Sequence, residues 1–375
     1  MPEQQSPQLR DPVECVIVVD DEETTALYPY LREAWISISR SAAGAGRLTF
    51  ESVRTEGGDW TIQDAGVFAP WKAIRIDARF GNYSEEILRG YIKEVNADYP
   101  QQMGAATVTV VFQDESILLD REHIKRVWSA EEEPMSDGEI ARQVAGDHGL
   151  DADAQDGLTN TSLNSDGTSI KLLQDRAQAN GFELYVRRGT LHFKPPELAG
   201  TPQPAIMVYA GDASNCLNFS VRYDGHAPDE IQVVRAAETG TGLEDHTVAP
   251  DLPLLGENAA ESAGRGLSPF VWAMPQPAGA TLAEVQARAQ AKANELAWKI
   301  VATGELDGAR YEHVLYTHQT VNVDGIGDYY GGTYYVDEVQ HRFAGEGYRQ
   351  KFKLLRNATG QGQQSSGADP LAAVR

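Results

Sequence analysis

The sequence predicts a mainly β protein with an α+β insertion, in which two barrel-like domains related by internal duplication are linked by a helix-hairpin module. Three observations carry that expectation. Period-two alternation fills residues 13 to about 126 and returns after 199, a helical period with a capping box occupies the stretch between them, and two distant hairpin-like segments echo one another.

Taken in order, residues 1–12 are polar and read as a flexible tail, and ECVIVVD (14–20) is an apolar run of strand length. WISIS (35–39) and LTFESV (48–53) alternate across SRSAAGAGR, a strand pair whose loop carries no phosphate-cradle pattern. AIRIDARF (73–80), GYIKEV (90–95) and ATVTVVFQ (106–113) continue the style, so 13–130 is expected to be the first barrel-like domain.

The period changes over 131–198. Ser136-Asp137-Gly138-Glu139 is a capping box, in which the Ser136 hydroxyl accepts from a free backbone N–H and Glu139 reaches back to the helix start. Ile140, Ala141, Val144 and Ala145 give that helix an apolar face, and Gly149 is placed to end it. A second helix beginning near Thr168 or Ser169 carries Ile170, Leu173 and Ala177 on one stripe and stops at Asn180-Gly181. With Arg188-Gly189 as a two-residue turn, Val186 faces Leu191 and Leu184 faces Phe193. The two helices supply the cover that this apolar face needs, and Pro195-Pro196 ends the hairpin because proline gives no ladder donor.

Strands resume in 199–356, the second barrel-like domain, with AIMVYA (205–210), LNFSVRYD (217–224) and DEIQVVRA (229–236). Residues 238–280 show no period and read as a long loop or surface excursion; the alanine-rich run after Thr281 predicts a helix over 281–300. Residues 357–375 have the composition of a disordered tail. The echo lies between GYIKEVNADYPQQMGAATVTVVFQ (90–113) and TYYVDEVQHRFAGEGYRQKFKLLR (333–356): each runs aromatic, β-branched, acid-rich pair, valine, turn, alternating strand.

Composition narrows the function classes. The balance of 32 Lys+Arg against 55 Asp+Glu leaves −23 at pH 7, which repels phosphate backbones and anionic membrane surfaces, so direct nucleic-acid binding is not expected. No stretch approaches the roughly 18 apolar residues of a membrane span, and no leader pattern opens the chain. Cys15 and Cys216 stand far apart without metal or redox spacing. The clusters Asp20-Asp21-Glu22-Glu23, Glu131-Glu132-Glu133 and Asp151-Ala152-Asp153 lack the alternating oxygen ligands of a calcium loop and read as solvated surface. His192, His313, His318 and His341 have no metal spacing and read as outward strand positions, while GDYYGGTYY (327–335) is a turn rather than a dinucleotide fingerprint. No catalytic, cofactor-binding or metal residue is assigned, and no enzymatic activity or cofactor is expected.

The two blocks TSIKLLQDRAQANGFELYVRRGTLHFKPP and VNVDGIGDYYGGTYYVDEVQHRFAGEGYRQKFKLLRN, with strands before, between and after, resemble the phage late control protein D family over about 13–357. These are tail baseplate hub proteins, similar to the base of the VgrG spikes of type VI secretion. The resemblance implies a homotrimer in which each chain gives two tube domains, so that six modules meet a six-fold inner tube and a three-fold spike seats on the other face. It also implies that the helix-hairpin module buttresses the tube domains. After Asn357 neither further barrel strands nor the short glycine-rich repeats of a needle follow, so the spike is expected to be a separate chain.

The sequence therefore leads to a structural baseplate hub of a phage tail or contractile injection system, made in the bacterial cytoplasm and then built into the particle. Its expected partners are the inner tube ring, a spike trimer and other baseplate proteins. The rival readings are a peptidoglycan-acting hydrolase of the same particle and a β-rich carbohydrate-binding protein. Three copies carry 3 × −23 = −69, so association must rest on buried apolar surface or on pairing of exposed strand edges. Tyr329, Tyr330, Tyr334 and Tyr335 are candidate contacts, against the alternative that half of them fill the second domain's core.

Overall fold

The computed structural model describes residues 12–101, 104–236, 243–261, 267–275 and 281–361; the expected tail at 1–12 lies outside them apart from Pro12, as does the expected tail beyond 361. Alternating residues form the strands of a first lobe: β1 (Glu14–Val19), β2 (Leu31–Ser39), β3 (Ala42–Glu51), β4 (Ala73–Phe80), β5 (Tyr83–Asp98) and β6 (Thr107–Asp114). They pair in the order β1-β4-β5-β6-β3-β2, every pair antiparallel. The inward set, including Ile36, Leu48, Ile74, Ile92, Val110 and Phe112, is fully buried, as period-two patterning requires. Gly46 stands opposite Phe112, where a Cβ would fall 2.4 Å from the phenyl ring; the missing side chain is what admits the ring.

A ribbon strand β7 (Ile124–Ser129) leads into the module: α1 (Asp137–Asp147), β8 (Asp151–Ala154), β9 (Leu163–Gly167), α2 (Ser169–Asn180), β10 (Glu183–Arg187) and β11 (Thr190–Lys194). The capping box forms as expected, with Glu139 N donating to Ser136 Oγ at 3.2 Å and Ser136 N donating to Glu139 Oε2 at 2.7 Å. Arg188 and Gly189 have φ of 52° and 77°, the two positive values of a type I′ turn, which sets Val186 opposite Leu191 and Leu184 opposite Phe193. Ile140, Val144 and Leu173 bury against Leu191 and Phe193.

Asp137, expected only at the helix start, is the polar centre of this module. Wholly buried, it accepts from Arg176 at 2.7 and 3.1 Å and from the side-chain amides of Asn160 and Asn180 at 2.7 Å each. Asp137→Ala would leave the Arg176 charge buried with only Glu284 beside it, so a loss of about 3 kcal/mol is expected in urea unfolding; a midpoint within error of the parent would refute the role.

The second lobe comprises β12 (Gln203–Met207), β13 (Cys216–Tyr223), β14 (Glu230–Ala236), β15 (Leu243–Val248), β16 (Val271–Ala273), α3 (Leu282–Leu296), β17 (Ile300–Asp307), β18 (Thr320–Asp324), β19 (Gly332–Ala344) and β20 (Gly347–Arg356). Its main strands pair in the order β12-β18-β19-β20-β17-β13, position for position the order of the first lobe, with one departure: β12 runs parallel to β18 whereas β1 runs antiparallel to β4. The echo recurs in fine detail. In β5 the ladder skips Lys93 between Ile92 and Glu94; in β19 it skips Asp337 between Val336 and Glu338. Beside each bulge sits a non-glycine residue of positive φ, Trp71 at 69° and His318 at 61°. Trp71 N donates to Ile92 O, and Ile92 N to Lys72 O; likewise His318 N donates to Val336 O, and Val336 N to Gln319 O.

Three expectations are corrected here. The segment 238–280 is not merely a loop: β15 and β16 flank β14 in a small sheet, and α3 lays Val285, Ala289 and Ala293 over Ile231 and Val233. The helix expected over 281–300 stops at Leu296, because Ile300 is taken into β17 between Tyr223 and Arg356. Residues 357–361 belong to the fold: Ala358–Thr359 pairs with Asn258–Ala259, and the buried Asn357 side chain accepts from Leu255 N at 2.9 Å.

The two cores are distinct, but the first takes in Phe343 and Tyr348 of β19 and β20; after the Asp337 bulge β19 leaves β18 and pairs Glu338–Phe343 with Ser39–Ala34 of β2. This joint merges both lobes into one thirteen-stranded sheet among the described residues.

Candidate functional site

Among the described residues an open hollow of about 540 Å³ is lined by Glu257, Asp328, Tyr329, Gly360 and Gln361, a surface set with two carboxylates and no histidine, cysteine or serine. Among the described residues no group of three or more His, Cys, Asp or Glu is arranged to hold a metal ion. Burial pushes the Cys216 thiol up to about 11, and Cys15 higher still, against reactivity at neutral pH. Asp21, Glu22 and Glu131–Glu133 are exposed, and Asp153 is bound to Lys194 and His192 on the hairpin surface.

The polar residues gather instead where the lobes and the module meet. Arg40 follows β2 in the tight turn to β3, so its side chain reaches beyond the sheet into three other elements. Its guanidinium lies 3.1 Å from Asp337 at the bulge, 3.1 Å from Glu295 of α3 and 3.8 Å from Glu183 of β10, while its backbone N–H donates to Asp337 O at 2.8 Å. Burial works against the Arg40 charge, but the carboxylates of Glu295, Glu183 and Asp337 hold its pKa above the usual arginine value. Glu183 in turn accepts from Tyr335 Oη at 2.6 Å and bonds His318 Nδ1 at 2.8 Å. His318 stacks on Tyr185 at 3.7 Å between ring centres, and Tyr185 on His192 at 4.4 Å. A space of about 50 Å³ is left beside Tyr185, Arg187, Asp114 and His318, far below the size of ligand pockets. Chemically this arrangement clamps three bodies together.

The hairpin is thus used on both faces. Leu184 and Val186 meet the helices, and the alternate residues Glu183, Tyr185 and Arg187 meet the lobes, with Arg187 over the Tyr316 ring at 4.0 Å. The clue was present in FELYVRR, where one face of a buried strand carries long residues with a polar tip. Three histidine readings change: His313 lies in the loop before β18, bonded to Glu85 at 2.9 Å, and His318 and His341 are buried at 7% and 0% exposure, because His318 is tied into the clamp and His341 sits in β19 beneath the joint with β2.

Of the tyrosine candidates, Tyr334 and Tyr335 are fully buried and are not surface contacts of the folded chain. Tyr334 Oη donates to Tyr330 O at 2.7 Å and Tyr335 Oη to Glu183, so both hold the protein's own core. Tyr329 is 55% exposed and meets half-buried Tyr330 edge-to-face; these two remain at the surface.

Residues 36–345 match the family model of the Alg8 N-terminal domain. No curated protein matches the chain by sequence. Among solved structures, the 43 kDa tail protein of prophage MuSo2 from Shewanella oneidensis aligns with TM-score 0.67 and 14% identity over 92% of this chain and 98% of that one. A tail protein from Neisseria meningitidis MC58 aligns with TM-score 0.63 and 11% identity over 92% and 97%. An Escherichia coli component of the type VI secretion system, described as similar to tail proteins of bacteriophage T4, aligns with TM-score 0.55 and 8% identity over 95% and 80%. At these identities the likeness is one of fold, and the fold is that of phage tail proteins.

Proposed function

The chain belongs to the family of Alg8 N-terminal domains, and from its phage-tail fold we propose that it is a structural component of a phage tail or phage-tail-like contractile injection particle, serving as the baseplate hub. The observation that carries this reading is the repeat within the chain: two lobes with one strand order, matching bulges at Lys93 and Asp337, and matching left-handed residues at Trp71 and His318. A chain that presents two equivalent lobes lets three copies offer six, the arithmetic needed to join a six-fold inner tube to a three-fold spike. The resemblance to the late control protein D family supports the same role.

The mechanism is geometric. A hub transmits load between tube and spike, so its lobes must keep their angle; the β2–β19 pairing and the Arg40–Glu183–His318 clamp supply that rigidity. A separate spike trimer, the inner tube ring and neighbouring baseplate proteins are the proposed partners, assembled in the bacterial cytoplasm. A chain of the Francisella PdpA–VgrG complex shares the fold at TM-score 0.56, with 55% of that chain covered, which supports a spike-side location.

Light scattering at low and moderate salt tests the reading, since so acidic a chain repels its copies least when screened. A mass near three times 40.9 kDa and binding to the tube or spike protein are expected. A protein that stays monomeric with spike and tube present, or that clears peptidoglycan, would overturn it.

A further inference from the structure

The internal joint has an unmatched counterpart on the surface. In the second lobe, the part of β19 beyond its bulge is covered by β2, the last strand of the first lobe's order. The equivalent part of β5 beyond the Lys93 bulge, Glu94–Asp98, pairs with β6 on one side and has no strand beside it on the other among the described residues. The last strand of the second lobe's order, β13, pairs only with β17 among the described residues. By the repeat, these two edges correspond to the two halves of the β2–β19 joint.

We propose that β13 of one copy adds to the β5 edge of the next, repeating between chains the β2–β19 pairing made within each chain. The pairing presupposes the ring of copies proposed above and names its interface. The ladders already described fix its register. Phe112 and Leu354 follow the bulges equivalently; Gly46 pairs with Phe112 and Ile36 with Gly46, as Ala302 pairs with Leu354 and Val221 with Ala302. Val221 therefore takes the place of Ile36. Since Ile36 faces His341, four residues beyond the bulge residue Asp337, Val221 faces Ala97, four beyond Lys93. Tyr223 then faces Val95, and Arg222 faces Asn96.

Two features not used in deriving this register agree with it. Val95 packs on the first core, and Val221 and Tyr223 on the second, all half-buried; the register sets Val95 against Tyr223 and continues one apolar layer across the boundary, whereas a slip of one residue would oppose apolar to polar throughout. On the other face, exposed Arg222 lies opposite Asn96 and between Glu94 and Asp98, a charge match at a point where two acidic chains must meet. The one like pair, Glu94 with Asp224, falls at the strand end, where Asp224 accepts from His226 N at 2.9 Å. Because the two edges differ, the contact is head-to-tail, the kind that builds the proposed ring when the rotation completes in three copies.

The test is a pair of cysteines, Asn96→Cys with Arg222→Cys, in the full chain carrying Cys15→Ser and Cys216→Ser. Both introduced positions are exposed, so folding is retained, and circular dichroism checks this. Directly opposed strand residues lie within reach of a disulfide, so oxidation is expected to give a covalent ladder ending at three chains, reversed by reductant. Separately, Arg222→Glu is expected to lower the trimer's association at least tenfold, and Glu94→Lys with Asp98→Lys to restore it. A native trimer that neither cross-links nor responds to Arg222→Glu would overturn this interface while leaving the ring reading intact; a protein monomeric in every condition would overturn both.

Discussion

Arg356→Met is expected to cost about 4 kcal/mol of stability, seen as a lower urea midpoint with unchanged slope. Arg356 is fully buried at the end of β20, and its guanidinium donates to the carbonyls of Gly331 at 2.7 Å, Tyr330 at 2.8 Å and Leu255 at 3.2 Å, and also to Gly360 O. Burial holds its pKa below the usual arginine value, and the Tyr334 ring lies 5.2 Å away. Methionine keeps much of the bulk and none of the donors, stranding the buried carbonyls of Leu255 and Gly331, each at a cost of about 1–3 kcal/mol, partly offset because no cation is then buried. Arg356→Lys should fall between, since an ammonium on a flexible stem cannot serve four acceptors in one plane. A methionine variant as stable as the parent would refute the account.

Acidification is expected to weaken the joint between the lobes through His341. Its ring is wholly buried in β19 opposite Ile36, with Nδ1 at 2.8 Å from Tyr348 Oη and Nε2 without a partner. Burial lowers its pKa from 6.5 to about 3. The unfolded chain takes up a proton as pH falls through about 6.5, while the folded chain does so only near 3, so this residue's contribution is present above 6.5 and lost between 6.5 and 3. Fully expressed, the loss is about 5 kcal/mol, and about 2 kcal/mol by pH 5. His341→Leu should remove that slope and give a variant more resistant than the parent to urea at pH 5. Asp114 acts in the opposite sense, because burial raises its pKa to about 6 and the folded state then binds the extra proton below that pH. Comparing parent and variant across pH 4–7 isolates His341; parallel profiles would exclude its role.

Much of the fold was legible because the signals were local. The hairpin register at Val186–Leu191, the Ser136–Glu139 box and the stop at Gly181 each depend on residues a few positions apart. The echo between 90–113 and 333–356 was visible as well, and its YIKEV and YVDEV cores mark the two bulges. The small sheet within 238–280 was not legible, since β16 has three residues and pairs parallel to β14, too short for any alternation to register. The clamp was missed for a different reason: Arg40, Glu183 and His318 each sit among ordinary surface-like neighbours in sequence, and only their convergence makes them special.

By itself the amino-acid sequence determined the strand periods, the caps of α1 and α2, the hairpin and the echo between 90–113 and 333–356, because side-chain direction follows backbone period over a handful of residues. Tertiary structure alone decided which strand edges are paired within the chain. Arg40 and Asp337 are 297 residues apart, and no local pattern records that β2 covers the bulged end of β19 while, among the described residues, no strand covers the equivalent edge of β5. Edge pairing is made by backbone groups that every residue carries, so the choice of partner is written in geometry rather than in composition.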